Sequence, residues 1–231
     1  MQVPGEVLSK VPESVSMEAA STLGCAGLTA ALALFESLKL PSDNAPEHAA
    51  VPVLVYGASS SVGVDAVGLL RAAGYTAVAV ASARSHKWLK DELGASQAYD
   101  YNDDGWTDAV AAANPGMAHA LDCIGGAALA LNVEVLKKSG SGAKGAVVST
   151  DPSVTKPEGA ECEVMPIYVG ALFQSHRSLI TKYAKLITEL VAEGKLPLTK
   201  VRVVGGLEEA AAGLEELQAG KVRGEKLVVK V

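Results

Sequence analysis

A run of small residues between a short apolar segment and a helical pattern is the first place where this chain could do chemistry. Residues 53–57 read VLVYG, a turn reading ASSS follows, and an apolar helical pattern runs from Val62 to Ala73. Backbone N–H groups at a helix N-terminus bind phosphate where small side chains let it approach. Ala58, Ser60 and Gly63 have the spacing of the three glycines in a dinucleotide fingerprint. The pattern predicts a pyrophosphate site, with a tight structural turn as the alternative.

The end of the next predicted strand bears on which dinucleotide would bind. Sites that prefer NAD carry an Asp or Glu about 20 residues beyond the fingerprint, which bonds the ribose 2′-hydroxyl. This chain has no acidic residue from Ala66 to Lys90, and the strand runs instead into the sequence SARSHK, residues 82–87. A hydroxyl and the forked donors of Arg84 suit a 2′-phosphate. We therefore expect a preference for NADP(H), with a solvated helix start as the alternative.

The cysteines, histidines and tyrosines offer no second site. Cys25, Cys123 and Cys162 are far apart, and neither they nor the four histidines have metal-ligand spacing. The pattern indicates no disulfide framework and no metal site, so each cysteine is expected to be a small buried side chain. Tyr56 beside the turn and Tyr168 in a later apolar stretch are candidate proton donors, but packing roles are favoured for both. No catalytic residue is assigned.

Composition limits the class of protein. The chain has 231 residues, 49% of them apolar and 20% charged, with a net charge of −6. These values are typical of a globular domain, and an acidic chain is not typical of nucleic-acid binding. The longest apolar stretch, Leu23 to Phe35, is too short to cross a membrane, and the amino terminus lacks a signal-peptide pattern. A cytoplasmic protein without nucleic-acid or membrane partners is expected.

Alternating strand and helix patterns must position the small-residue turn. From Val53 to Ser149, short runs that are apolar on both faces alternate with helical stretches. This alternation predicts an α/β fold with a doubly wound parallel sheet. The further expectations are a helical run after an N-cap at Ser16 and reaching Leu40, a strand-like VMPIYVGALF at residues 164–173, a helix over residues 179–191, an acidic helix over 207–217 and a final strand over 226–231.

Six motifs, in order along nearly the whole chain, resemble the medium-chain dehydrogenase/reductase superfamily. They are LGCAGLTAALALF, VYGASSSVG, AVASARSHK, DELGASQAYDY, ALDCIGG and GKVRGEKLVVKV. The resemblance is to the zinc-independent branch of quinone oxidoreductases and enoyl reductases. Within that branch it is to the fungal enoyl reductase-like oxidoreductases, which include trans-acting partners of polyketide synthases. It implies a Rossmann domain that binds NADP.

The resemblance also implies which residues bind the cofactor. In the family, the loop matching residues 58–63 holds the pyrophosphate, the stretch matching residues 82–85 holds the 2′-phosphate, and a Tyr at the position of Tyr101 lies beside the adenosine. A helix residue at the position of Thr29 faces the nicotinamide. The full set implied is Thr29, Ala58, Ser59, Ser60, Ser61, Val62, Gly63, Ser82, Arg84, Ser85, Tyr101, Ile124, Ser149 and Gly224. Arg223 stands beside this set, where relatives tend to have Ser.

A domain organisation is implied as well. Family members begin with a barrel-like, GroES-like catalytic domain, and this chain begins at what matches the last strand of that domain. We therefore expect a Rossmann domain at residues 14–175 and a remnant of the catalytic domain at residues 1–13 and 176–231. A fragment of a longer enzyme and a natural truncation are both open.

The implied activity is hydride transfer from NADPH to an activated double bond, in an enone or enoyl thioester, or to a quinone. The alternative is a truncated, non-catalytic NADPH-binding module that acts through a partner or through self-association. A zinc alcohol dehydrogenase is disfavoured, because no zinc-ligand spacing is present. A homodimer is expected through an edge strand carrying Ile167, Val169 and Leu172, with further exposed faces at Leu186 and Leu214, and a polyketide synthase is a possible partner.

Overall fold

A parallel sheet forms the centre of the computed structural model, which describes residue 5 and residues 8–222 and 224–231. Within these ranges six strands pair in the order β3-β2-β1-β4-β5-β6, and every pair is parallel. This is the doubly wound order of dinucleotide-binding folds. The strands are β1 (Pro52–Tyr56), β2 (Thr76–Val80), β3 (Gln97–Tyr99), β4 (His119–Asp122), β5 (Ala146–Ser149) and β6 (Glu163–Pro166).

Helices cover both faces of the sheet, as its alternating side chains require. The helices are α1 (Met17–Ala20), α2 (Leu23–Ala31), α3 (Ser61–Ala72), α4 (His86–Asp91), α5 (Trp106–Ala113), α6 (Ala127–Lys138), α7 (Val169–Ser175) and α8 (Arg177–Ala192). A π-helix, Leu32–Ser37, continues α2, and single 3₁₀ turns cover Pro46–Ala50, Ala83–Ser85 and Gly142–Lys144. Val53 and Val55 of β1 join the core on the α2, α3 and α8 side, whereas Leu54 joins the core beneath α5 and α6. Successive strand residues point to opposite faces, so β1 anchors both layers.

The carboxyl-terminal residues add a small layer of their own. It contains the parallel strands β7 (Lys200–Gly205) and β8 (Glu225–Val229), with the 3₁₀ turn Leu207–Glu209 and helix α9 (Ala210–Gln218) between them. Arg202 ties the layer together by donating to Glu216 at 2.6 Å and to Glu225 at 2.7 Å. Helix α8 leads into this layer, yet its Ile180, Tyr183, Ile187 and Val191 are buried in the main core.

Most sequence predictions of elements are confirmed, two are wrong in part, and one strand was not predicted. Ser16 caps α1 by accepting from the N–H of Ala19 at 3.2 Å, but the helical run ends at Ser37 rather than Leu40. The predicted strand at residues 164–173 is wrong beyond Pro166, because Val169–Ser175 is helix α7. Strand β7 was not predicted, although its apolar residues alternate with Lys200 and Arg202, a pattern that indicates a half-buried strand.

The edge strand that was expected to form the dimer contact is therefore shorter than predicted. Strand β6 does lie at the edge of the sheet, but Val169 belongs to a helix and Ile167 is only 6% exposed. The side chain of Leu172 lies outside the described part of the chain. Leu214 is exposed as expected, whereas Leu186 is half-buried against the core. In the described residues no helix has the length and apolarity needed to cross a bilayer.

Candidate cofactor-binding site

The small-residue turn follows the carboxyl end of β1. In the sheet, β1 has β2 on one side and β4 on the other. The N–H groups of Gly57 and Ala58 both donate to the carbonyl of Val80 at 3.0 Å, which joins the turn to the end of β2. Gly57 has φ 76°, a conformation that favours glycine. In open parallel sheets ligands bind at this switch point. The geometry therefore places residues 58–63 where a dinucleotide fingerprint belongs.

Ser60 begins helix α3 and arranges its first N–H groups. Its Oγ accepts from the N–H of Gly63 at 3.2 Å, and its carbonyl accepts from the N–H of Val64 at 2.9 Å. The N–H groups of Ser61 and Val62 lie in the first turn, where a helix provides no acceptor of its own. They are positioned to bind an anion, and the helix dipole favours negative charge there.

Gly63 shows how tightly the turn is folded. A Cβ atom at this position would lie 2.3 Å from the carbonyl oxygen of Gly57 and 2.7 Å from the Cα of Ala58. Only glycine allows the helix to approach the strand so closely, which is the packing role of the third fingerprint glycine. The residues therefore fit a pyrophosphate group, with Ala58 fully buried and Ser59, Ser60 and Ser61 partly exposed.

The ends of β4 and β5 form a second wall, organised by a residue that the sequence analysis missed. The buried carboxylate of Asp122 accepts from the N–H groups of Ile124 and Gly125, both at 3.0 Å, and from the hydroxyl of Ser149 at 2.9 Å. Ile124 is 59% exposed and would contact any Cβ added at Gly57. The structure thus brings Ile124 next to the turn, whereas Ser149 is fully buried and directs its hydroxyl to Asp122.

The turn after β2 carries the residues expected at a 2′-phosphate. Arg84 is exposed, and Ser82 and Ser85 are partly exposed on either side of it. Two neighbouring side chains are engaged elsewhere: Lys87 pairs with Asp91, one helical turn away, and the ring Nε2 of His86 donates to the carbonyl of Ala81 at 3.0 Å. The exposed guanidinium of Arg84 thus lies at this turn beside two side chains that already have partners.

An acidic residue from the next strand supports the same turn. Oδ2 of Asp100 accepts from the N–H of Ala83 at 3.0 Å, and its Oδ1 accepts from the N–H of Asn102 at 2.9 Å. These backbone hydrogen bonds, that of Asn102 foremost, lower the pKa of Asp100. Asp100 follows β3 and is close to the turn after β2 only in the folded chain. Its role could therefore not be read from the sequence between residues 66 and 90, which contains no acidic residue.

Two other predicted contacts, Tyr101 and Thr29, differ in exposure. Tyr101 is 43% exposed, and its ring lies 6.4 Å from that of Tyr56, which in turn contacts Trp106 at 5.7 Å. Tyr56 is thus a packing residue, and burial raises its pKa. Thr29 is nearly buried on α2, where its hydroxyl donates to the carbonyl of Cys25 at 2.8 Å.

The carboxyl-terminal layer reaches the start of α3. A cavity of about 460 Å³ is lined by Ser61 together with Glu225 and Lys226, the residues that follow Gly224. Gly224 itself has φ 67°, which suits glycine at the turn into β8. Arg223 lies outside the described residues.

The cysteines are not uniformly buried, contrary to expectation. Cys25 is exposed, Cys123 is partly buried and Cys162 is buried. Desolvation, assisted by the charge of Asp122, raises the pKa of the Cys123 thiol to about 12. Over the described ranges no group of three or more His, Cys, Asp or Glu residues is placed to hold a metal ion.

Comparison with known proteins defines the class. A family profile described as zinc-binding dehydrogenase matches residues 93–229. The trans-enoyl reductase phm4 of Pyrenochaetopsis sp is 32% identical across 97% of this chain and 66% of its own length. The chain therefore belongs to the zinc-binding dehydrogenase family, within the medium-chain dehydrogenase/reductase superfamily.

Solved structures share the fold. The CurF ER cyclopropanase from the curacin A biosynthetic pathway has a TM-score of 0.79 at 18% identity, over 99% of this chain and 66% of that one. CurA from Vibrio vulnificus, solved in complex with NADPH, has a TM-score of 0.68 at 18% identity, over 91% and 63%. This chain spans about two thirds of the length of the curated relatives that it matches.

Proposed function

We propose that this chain is the cofactor-binding part of an NADPH-dependent reductase that acts on an activated double bond, in an enone or enoyl thioester, or on a quinone. The observation that carries the proposal is the approach of α3 to the β1 turn at Gly63, where a Cβ would lie 2.3 Å from a backbone oxygen. Relatives named trans-enoyl reductases support the reductase class. The NADPH complex of a protein with the same fold supports the cofactor.

In this proposal each cofactor contact has a definite physical task. The N–H groups of Ser61 and Val62 bind the pyrophosphate, since they lie at the positive end of α3. Ile124 and the backbone near Ser149 line the ribose and nicotinamide end, where Asp122 fixes both turns. Thr29 faces the nicotinamide from α2, Tyr101 lies along the adenosine, and Gly224 lets the carboxyl-terminal segment return to the cofactor.

Selectivity for NADP(H) is assigned to the turn after β2. Arg84 can give two parallel N–H donors to a 2′-phosphate, and Ser82 and Ser85 can add hydroxyl donors. Asp100 holds the N–H of Ala83 and so fixes the backbone that presents Arg84. With this bond made, the carboxylate acts as a positioning group and is less able to accept from the 2′-hydroxyl of NAD.

The chemistry follows from the cofactor. When bound, the nicotinamide supplies a hydride to the β-carbon of the activated double bond. The chain would orient the ring from the Thr29 and Ile124 sides. We propose that no zinc takes part, and no residue is assigned as proton donor.

A labelled hydride tests the reductase proposal directly. The chain is incubated with NADPH that carries deuterium at the transferable position, and with a trans-2-enoyl thioester, an enone or a quinone. Deuterium at the β-carbon, or cofactor-dependent reduction of the quinone, is expected. Cofactor binding without transfer to any of the three would instead identify a non-catalytic NADPH-binding module and overturn the reductase assignment for this chain.

We also retain the proposed division into a Rossmann domain at residues 14–175 and a remnant of the catalytic domain at residues 1–13 and 176–231, although α8 contributes buried side chains to the main core. Limited proteolysis with mass spectrometry tests them. Cleavage near residues 194–199, and not near residue 176, would move the boundary beyond α8.

Self-association is proposed as well, through a surface that differs from the predicted one. The N–H groups of Glu163 and Ile167 donate to the carbonyls of Gly145 and Ser149, so the backbone groups of the alternate residues Val164 and Pro166 face the open edge, and Pro166 has no N–H to offer. A second copy would therefore contact exposed side chains such as Tyr168 and Phe173, which are 64% and 39% exposed.

Light scattering tests this contact. A dimer mass for the unmodified chain and a monomer mass for Tyr168→Glu are expected at micromolar concentration. A monomer mass for the unmodified chain would refute it. A polyketide synthase remains a proposed partner, on the names of the trans-acting relatives.

A further inference from the structure

Helix α3 contains one acidic residue, Asp65, and the fold buries it. The helix reads SVGVDAVGLLRA, and Asp65 is 1% exposed. Neither oxygen of its carboxylate has a hydrogen-bond partner. Burial without a partner is far more costly for a carboxylate than for the neutral acid. The side chain is therefore placed where its protonation state has a large effect on its surroundings.

Few charges lie near this carboxylate. Helix α2 and strands β1 and β2, which pack against α3, contain no charged side chain. On α8, Ile187 lies beside the contact between Asp65 and Gly27, and Tyr183, one turn earlier, donates its hydroxyl to Glu36. In the described part of the chain, Lys226 of β8 is the one charge that acts on Asp65.

Lys226 does not compensate the carboxylate fully, because its ammonium group has another partner. Its Nζ donates to the carbonyl of Thr22 at 2.8 Å, and the neighbouring Glu225 accepts from Arg202. Desolvation therefore dominates and raises the pKa of Asp65 to about 7, while Lys226 lowers it only in part. Asp65 thus changes charge close to neutral pH.

Asp65 also lies one helical turn from the N–H groups that are proposed to bind the pyrophosphate. It follows Ser61 by four residues and Val62 by three, which is about 4.5–6 Å along the helix axis. An anion at the helix N-terminus and a carboxylate one turn further both interact with the positive end of the helix dipole, and they repel each other. Salt screens a buried charge only weakly.

We propose that binding of a dinucleotide at the small-residue turn is coupled to protonation of Asp65, so that the neutral acid favours the cofactor and the carboxylate disfavours it. The inference rests on the proposed function, since it takes the turn as the pyrophosphate site. The coupling is reciprocal, so the bound cofactor strengthens the hold of Asp65 on its proton by the same factor. Cofactor affinity then responds to pH near neutrality.

The direction of the pH effect follows from the two protonation states. Well below pH 7, Asp65 is neutral with or without cofactor. As pH rises through 7, the free protein loses a proton that the complex keeps, so the affinity falls. A unit charge acting over about 10 Å at an effective dielectric constant of about 20 shifts a pKa by about one unit. The expected loss of affinity is therefore about tenfold, and it is nearly complete at pH 9.

Calorimetric titration with NADPH from pH 6 to pH 9 tests the coupling without turnover. A phosphate monoester such as the 2′-phosphate also ionises near pH 6, and comparison with Asp65→Asn removes this contribution. The unmodified chain should lose about tenfold more affinity over this range than Asp65→Asn. Asp43 is exposed in the loop before β1, and the control Asp43→Asn should follow the unmodified chain. A control that follows Asp65→Asn instead would refute the assignment to Asp65.

Proton uptake gives a second readout in the unmodified chain. NADPH is titrated at pH 7.5 in two buffers with different ionisation enthalpies, and the unmodified chain should take up roughly half a proton more than Asp65→Asn. Equal uptake, or the same pH dependence of affinity in both proteins, would overturn the coupling and leave the cofactor site in place. Absence of NADPH binding at every pH would overturn the proposed function and the coupling together.

Discussion

Asp65 allows a quantitative prediction, because its carboxylate is buried on α3 without a hydrogen-bond partner. It is 1% exposed, and neither oxygen has an acceptor or donor within reach. Its carboxylate faces Gly27 on α2, and Ile187 of α8 lies beside that contact. The charge of Lys226 on β8 also acts on it. Desolvation raises its pKa to about 7, and Lys226 lowers it only in part.

The effect on stability follows from the two pKa values. In the unfolded chain Asp65 ionises near its ordinary pKa of 3.8, and in the folded chain near 7. Between these values the folded state holds a proton that the unfolded state has lost, so stability falls as pH rises and levels off above about pH 7. Roughly three pH units at about 1.4 kcal/mol each give a loss of about 4 kcal/mol as an upper limit.

Asp65→Asn isolates this contribution. The amide cannot ionise, so the variant should gain on the unmodified chain by up to about 4 kcal/mol between pH 4 and pH 8. Urea unfolding of both proteins across this range measures the difference, and subtraction removes groups that titrate alike in both. Lys226→Met should move the change to higher pH, because the lysine charge lowers the pKa of Asp65. A difference that stays constant with pH, or that shrinks as pH rises, would refute the reasoning.

Three further predictions concern the cofactor site. Gly63→Ala should abolish measurable NADPH binding, because its Cβ would overlap the Gly57 carbonyl. The control Gly24→Ala has open space around the added Cβ and should retain binding. Similar NADPH affinities for the two variants would contradict the fingerprint geometry. Asp100→Asn should weaken NADPH several-fold more than NADH, because the backbone before Arg84 loses a charged acceptor; equal losses for both cofactors would remove its positioning role. Elemental analysis of protein purified without a metal-binding tag should find no stoichiometric zinc, and one zinc per chain would contradict the proposed metal independence.

The sheet and its first turn could be predicted from sequence because their signals are local. The apolar run of β1, the small residues after it and the periodic helix α3 lie within one short stretch, and each step has a direct steric reason. The sequence VMPIYVGALF lacks such a signal, since a short apolar run is compatible with strand or helix. Its second half packs as α7 against α2, and that contact is invisible in the sequence.

The parts of the site that were missed depend on contacts between distant residues. Asp100 and Asp122 lie at strand ends, and the residues that they join to the site, Ala83 and Ser149, are 17 and 27 positions away in the sequence. Strand β7 pairs with β8 across the intervening helix α9, and its alternation of charged and apolar residues was a local signal that could have predicted it. The engagement of Lys87 by Asp91 could have been read from their spacing of four residues, which is favourable on a helix.

Binding of the two reduced cofactors tests the central claim most directly. The unmodified chain and Arg84→Ala are titrated with NADPH and NADH by calorimetry at the same ionic strength. We expect the unmodified chain to bind NADPH at least tenfold tighter than NADH. The variant should lose about ten- to a hundredfold in NADPH affinity with little change for NADH, as expected for one charge-assisted phosphate contact. Equal affinities for both cofactors in the unmodified chain, or no binding of either, would contradict the account.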